Sequence, residues 1–245
     1  RKDAQLFRLF KSKIYHVFVV NNLLEKWVRE VLNFKAENIT YLKNFASLSE
    51  VNDDLELDLP GCNGKRIVCL SALRYQKDHF FLINIAKEIC KNFPDWSFVC
   101  VGVDFENKYS QTVKTAINNN GLSNSVHLLG SRTDVLPILK ACQIGILTSR
   151  SEGLPVAVLE YGSVGLPVVC TSVGQCSEVL NQPDFLIQHG DVIAFVGALE
   201  KLIQDKKIRK EQSLKFNHRV MSEYSEESSL QQLLNIYSLD PKTVN

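Results

Sequence analysis

A chain of 245 residues with 45% hydrophobic side chains holds material for one large domain or two modest ones, each with a full core. Its 28 basic and 27 acidic residues leave a formal net charge of +1, which excludes a global field that would recruit nucleic acid or anionic lipid. Seven cysteines, an odd set at 62, 69, 90, 100, 142, 170 and 176 without a Cys-x-x-Cys pair, exclude a disulfide framework and a zinc knuckle and point to buried thiols in a reducing compartment.

Residues 1 to 13 alternate basic and apolar positions, from Arg1 and Lys2 through Leu6, Phe7 and Phe10 to Lys13, the pattern of an amphipathic helix. Its apolar face serves either packing or a membrane surface. Val17 to Val20 reads as a strand, Asn21-Asn22 as the cap of a helix running to about Phe34, and Ile39 to Leu42 as a second strand. One strand-helix-strand unit cannot cover both faces of a parallel sheet, so most of that first domain is expected to lie outside this chain. Residues 46 to 64, rich in Ser, Asn, Asp, Gly and Pro, read as a linker. The acidic cluster Asp53, Asp54, Glu56 and Asp58 within it reads as solvated rather than metal-binding.

From Arg66 the rhythm becomes regular. Short β-branched runs at 67–70, 98–101, 126–129 and 144–147 alternate with helical periods at 78–93, 107–119 and 134–141. That alternation predicts an α/β fold, a Rossmann-like parallel sheet with helices on both faces, preceded by the partial N-terminal βαβ unit. Ligands on such sheets sit at the carboxyl ends of the strands.

Three strand exits therefore matter. After the first strand, Ser71-Ala-Leu-Arg74-Tyr-Gln-Lys77 puts two cations on the turn into a helix, a planar fork and a compact charge suited to a diphosphate. After the third comes Gly130-Ser131-Arg132-Thr133-Asp134. After the fourth, Thr148-Ser-Arg-Ser-Glu152-Gly153-Leu154-Pro155 leads into a helix that Pro155 opens at no cost, since first-turn amides lack helical partners. Those amides and the positive helix end make the region after Gly153 a seat for phosphate, with Glu152 and Glu160 bracketing it as acceptors for sugar hydroxyls. Gly165-Leu-Pro-Val-Val then forms a strand, and Gly174-Gln-Cys-Ser-Glu178 starts another helix.

Glu152 and Glu160, with seven residues between them, set in Ser-Arg-Ser-Glu-Gly-Leu-Pro and followed by Gly165-Leu-Pro-Val-Val and Gly174-x-x-x-Glu178, resemble the signature of the retaining glycosyltransferases of family four. These are the glycosyl transferases group 1, built on two Rossmann-like domains in the GT-B architecture. The resemblance implies that Glu152 contacts the donor sugar and Glu160 the ribose, and that Arg74 and Lys77 match the family's Arg-x-x-Lys on the phosphates. It further implies that Ser131, Arg132 and Thr133 lie along the nucleobase and that Glu178 supports the pocket. Two positions depart from the family pattern: Gln175 follows Gly174 where a second glycine is usual, and Tyr161 stands where a small residue usually follows the second Glu.

The same resemblance divides the chain into a remnant of the acceptor domain (1–45), the linker (46–64), the donor domain (65–222) and a terminal helix crossing back onto the first domain (223–245). Leu230, Leu233, Leu234 and Tyr237 would form that helix's contact face. Five histidines show neither metal spacing nor a nucleophile partner, and the aromatic residues form no stacking platform for nucleic acid. The expected activity is metal-independent transfer of a sugar, with retention, from a nucleotide-diphosphate sugar to an acceptor saccharide or glycolipid, without a cofactor. A non-catalytic nucleotide-sugar binding module and a sugar-nucleotide 2-epimerase on the same fold are the alternatives. No apolar run is long enough to span a membrane, and Arg1-Lys-Asp-Ala-Gln is not a signal peptide. A cytoplasmic protein is therefore expected, with any peripheral membrane contact made through the rest of the first domain. An Arg start and a single methionine, Met221, mark the chain as a piece of a longer protein, expected to bind donor but to transfer poorly alone.

Overall fold

A computed structural model describes residues 7, 10–43, 45 and 57–239. It divides into two compact units, Arg1–Phe45 with Glu223–Asn245, and Ala46–Ser222. Residues 1–6, 8 and 9 of the predicted first helix lie outside the described residues, as do 46–56 of the linker, including Asp53, Asp54 and Glu56. Of that first helix, Lys11–Lys13 is a 3₁₀ turn.

In the smaller unit β1 (Val17–Val19) and β2 (Ile39–Tyr41) pair in parallel, joined by α1 (Asn22–Glu30). Asn21 caps α1, its side-chain oxygen accepting the Leu24 amide at 2.7 Å. The helix stops at Glu30, short of the predicted end near Phe34. The left-handed backbone of Asn33 (φ +56°) reverses the chain, which lets Leu32 and Phe34 drop onto Val19 and Val28.

The larger unit is a six-stranded parallel sheet. Its elements are β3 (Arg66–Leu70), α2 (His79–Asn92), β4 (Ser97–Val101), α3 (Lys108–Asn119), β5 (Val126–Leu128), α4 (Val135–Lys140), β6 (Ile144–Leu147), α5 (Val156–Ser163), β7 (Val168–Thr171), α6 (Cys176–Leu180), β8 (Leu186–Ile187), α7 (Val192–Gln204) and α8 (Lys206–Glu223). Strand order is β5-β4-β3-β6-β7-β8. Every residue of β3, β4, β6 and β7 is buried, as expected for parallel strands covered on both faces. Asp78, Asn107 and Asp191 cap α2, α3 and α7 through their side chains, which is why α2 and α3 begin where the sequence places them. Pro155 takes the cap position of α5 rather than its first turn, its carbonyl accepting the Val158 and Leu159 amides. Five of the seven cysteines are buried; Cys62 is exposed, because it sits in the turn around Gly61 and Gly64, and Cys90 is half-buried.

The order reverses between β3 and β6. There the ladder is short, with Ile67 opposite Ile144 and Val68 opposite Gly145. Beyond those pairs the strand exits separate, and a crevice opens at this switch point.

The last helix, α9 (Glu226–Leu239), belongs to the smaller unit. Polar groups tie it there: Ser229 Oγ donates to the Lys43 carbonyl at 2.9 Å and Gln232 Nε2 to the Tyr41 carbonyl at 2.8 Å. Leu230, Leu234 and Tyr237, predicted as its contact face, are more than half exposed (55%, 51% and 55%), while Leu233 is half-buried.

Candidate functional site

A cavity of about 410 Å³ lies over the carboxyl ends of β3, β4, β5 and β6. It gathers Lys77, Glu152 and Glu160 with Ser131, Arg132 and Leu154, from three separate strand exits. Val156 and Ala157 line it as well, so the first turn of α5 presents its positive end to the same space.

Lys77 and Glu152 meet across the crevice. The ammonium lies 2.6 Å from Glu152 Oε1, with the two side chains 26% and 9% exposed. Ser149 Oγ donates to the same carboxylate oxygen, and Thr148 Oγ1 donates to the Lys77 carbonyl at 3.0 Å. Both arms are thus clasped by short side chains of the β6 exit. Lys77 carries three donors, so it can hold Glu152 and still turn one N–H toward an incoming phosphate oxygen. Glu160 is half-buried on α5, and that burial raises its carboxyl above the ordinary carboxylate value.

Two close approaches shape the floor. A Cβ at Gly102 would stand 2.3 Å from the Ser71 carbonyl oxygen, so the exits of β3 and β4 touch there. A Cβ at Gly174 would lie 1.9 Å from the Glu152 carbonyl oxygen, and Gly174 is left-handed as well, at φ +53°. The Gln175 amide donates to the Gly153 carbonyl at 3.1 Å. The Glu152-Gly153 segment is therefore braced from behind by Gly174-Gln175, the pair in which the second glycine of the family pattern is replaced.

Arg74, Gly153, Pro155, Thr133 and Glu178 are not among the cavity walls. Arg74 is exposed and lies over the Phe105 ring, 4.6 Å from its centroid. Glu178 accepts a hydrogen bond from Gln175 Nε2 at 3.0 Å, on α6 behind the Glu152 loop. Arg132 faces the cavity while forking onto Asp134 at 2.7 and 2.6 Å, and this pairing holds the Asp134 carboxyl below its usual value.

Residues the sequence did not single out hold the Lys77 turn. Asp78 is left-handed (φ +44°) and buried; its carboxylate caps the Phe81 amide and meets Arg150 at 2.7 Å and His189 at 2.8 Å. Arg150 also lies over the Tyr75 ring at 4.7 Å, and its amide donates to the Gln76 carbonyl. The only sequence signal was that Asp78 stands at a helix start. Behind it, His79 Nε2 lies 3.0 Å from Ser71 Oγ, and burial pulls the imidazole down to about 4.

A family profile described as "Glycosyl transferases group 1" matches residues 64–205. An Escherichia coli protein described as UDP-Gal:alpha-D-GlcNAc-diphosphoundecaprenol alpha-1,3-galactosyltransferase is 37% identical over 136 residues, covering 54% of this chain and 34% of that protein. An uncharacterized glycosyltransferase of Haemophilus influenzae is 27% identical over 196 residues, 78% of this chain and 52% of its own length. The chain thus spans about a third to a half of these curated relatives. Among solved structures, Anabaena Alr3699/HepE in complex with UDP and glucose superposes with a TM-score of 0.80 at 18% identity, covering 97% of this chain and 67% of that one. That likeness bears on the fold: a parallel sheet flanked by helices, as in GT-B glycosyltransferases.

Proposed function

The chain belongs to the glycosyl transferases group 1, and from that membership we propose that the whole protein moves a sugar from a UDP-sugar to a lipid-linked or free saccharide, with the anomeric configuration retained. The observation that carries the reading is the convergence of Lys77, Glu152, Glu160 and the first turn of α5 in one cavity at the switch point. The choice of uridine diphosphate follows the UDP-galactose named for the E. coli relative and the UDP in the Anabaena complex. A lipid-linked acceptor follows the same E. coli name.

Breaking a glycosyl–phosphate bond leaves negative charge on the departing diphosphate and positive charge on the sugar ring. Fixed positive groups aimed at the departing oxygen lower that barrier. Lys77 and the amino end of α5 supply them in this chain, so the reaction needs no metal ion. Glu152, already held by Lys77 and Ser149, orients the sugar, and Glu160 receives the ribose hydroxyls. Arg74 contributes only if its stacking on Phe105 is released. The residues gathered in the cavity serve the donor, and the acceptor surface is not assigned to any residue of this chain. The protein acts in the cytoplasm, at the membrane face where a lipid-linked acceptor would be presented.

Calorimetry of this chain with UDP, GDP, ADP and their sugar conjugates tests the reading, alongside Lys77→Ala and Glu160→Ala. The expected result is UDP-selective binding weakened at least tenfold in both variants, without sugar transfer by the chain alone. Wild-type affinity in both variants would remove this cavity as the donor site, and normal turnover by the chain would refute the division of labour.

A further inference from the structure

Tyr161 follows Glu160 on α5 and is fully buried, next in the chain to a residue that lines the cavity. Its hydroxyl accepts the Leu70 amide at 2.5 Å and donates to the Ile146 carbonyl at 3.1 Å. Leu70 ends β3 and Ile146 belongs to β6, the two strands whose ladder stops at Val68 and Gly145. The phenol therefore occupies the place of the next rung, an oxygen wedged between strands that have begun to part. Burial raises its pKa well above the ordinary phenol value, so it stays protonated and keeps both bonds.

The sheet makes room for this ring at one position. A Cβ at Gly145 would stand 2.6 Å from Tyr161 Cδ2, so a side chain there and the ring cannot coexist without movement. Gly145 is an otherwise costly choice in a buried strand. One residue beyond Leu70 begins the Ser71–Lys77 turn; two beyond Ile146 begins the Thr148–Glu152 loop. Tyr161 itself sits beside Glu160. A single side chain thus joins the three segments that carry Lys77, Glu152 and Glu160.

We infer that Tyr161 is a positioning residue for the donor site, whose hydroxyl sets the gap between the exits of β3 and β6 and holds α5 against both. The inference rests on the donor-site reading above. Without the hydroxyl, the Leu70 amide and the Ile146 carbonyl lose their shared partner and the strand exits settle at another spacing. Lys77, Glu152 and Glu160 then no longer converge at the separations a diphosphate sugar needs. Side chains held by packing and by such supporting bonds lose function with small displacements.

The test is calorimetric titration of this chain with UDP at 25 °C for wild type, Tyr161→Phe, Gly145→Ala and the control Val113→Ala. Val113 is buried in α3 and is not one of the cavity's walls. The expected result is a UDP Kd raised about tenfold in Tyr161→Phe and also in Gly145→Ala, which displaces the ring but keeps the hydroxyl. Val113→Ala, although less stable to heat, retains the wild-type Kd. If Tyr161→Phe fails to fold, Gly145→Ala reads the same displacement. A UDP Kd within twofold of wild type in the variants that fold would overturn the inference and leave the donor-site reading standing. Loss of affinity in Val113→Ala matching its fall in melting temperature would reduce Tyr161 to a stability role. Absence of UDP binding by the wild-type chain would overturn the donor-site reading and this inference together.

Discussion

His79 shows how one side chain ties the site's floor to pH. Its Nε2 bonds Ser71 Oγ, its amide donates to the Tyr109 hydroxyl, and Asp78 and Lys77 act on it with opposite signs. Desolvation dominates, and the imidazole falls to about 4 from 6.5. The folded state therefore refuses a proton that the unfolded chain accepts below pH 6.5. Stability is complete above that value and declines as pH falls toward 4, by about 3 kcal/mol if the whole shift is expressed. Urea unfolding at pH 7 and at pH 4.5 measures the decline, and His79→Phe is expected to flatten it over this window. An unchanged slope in that variant would mean that the carboxylates alone set the acid sensitivity. Ser71 would lose its bond to the imidazole in the same variant and keep only Cys69 Sγ at 3.3 Å, so the comparison is of slopes and not of absolute stability.

At the scale of elements, α8 illustrates a helix whose role its composition conceals. Lys206–Glu223 is charged throughout, yet Gln212, Phe216 and Val220 are buried at successive four-residue steps. The Gln212 amide accepts the Val168 amide at 3.0 Å and donates to the Val168 carbonyl at 2.8 Å. The β7–β8 pairing begins only at Cys170 opposite Leu186, so at Val168 a side chain stands in for the absent neighbouring strand. Gln212→Leu leaves two buried backbone groups without that partner and is expected to cost about 2–4 kcal/mol, read as a lowered denaturant midpoint. A loss under about 0.5 kcal/mol in that measurement would mean that water replaces the amide. The strands and the starts of α2 and α3 were legible because burial and N-capping act locally, through apolar runs and through Asp78 and Asn107. Gln212 was not, because its partner lies 44 residues away and nothing in its neighbours announces it. The end of α1 was misread for a similar reason: Leu32 and Phe34 continue the helical apolar spacing but reach the core through the turn at Asn33.

For the molecule as a whole, the sequence revealed which strand exits to watch, and the structure brings Lys77, Glu152, Glu160, Ser131, Arg132 and Leu154 into one cavity. It could not reveal that Arg74 turns aside onto Phe105, since a surface cation and a phosphate ligand have the same spelling. Nor could it pair Gly145 with Tyr161, which depends on strands that meet only in three dimensions. The strand order has one more consequence, for the time course of folding. Strands β3 to β5 pair in sequence order, as do β6 to β8, and within the sheet the two halves are hydrogen-bonded through the β3–β6 seam. Contacts between distant segments form after loop-closure entropy has been overcome, so each half-sheet condenses first and the seam zips last. Ile144→Val, at the seam, is then expected to quicken unfolding with little change in refolding rate, whereas Val126→Ala in β5 slows refolding. Equal slowing of refolding by both would show that the seam forms with the nucleus. If it closes last, the cavity that gathers Lys77, Glu152 and Glu160 takes its shape only when the two half-sheets have met.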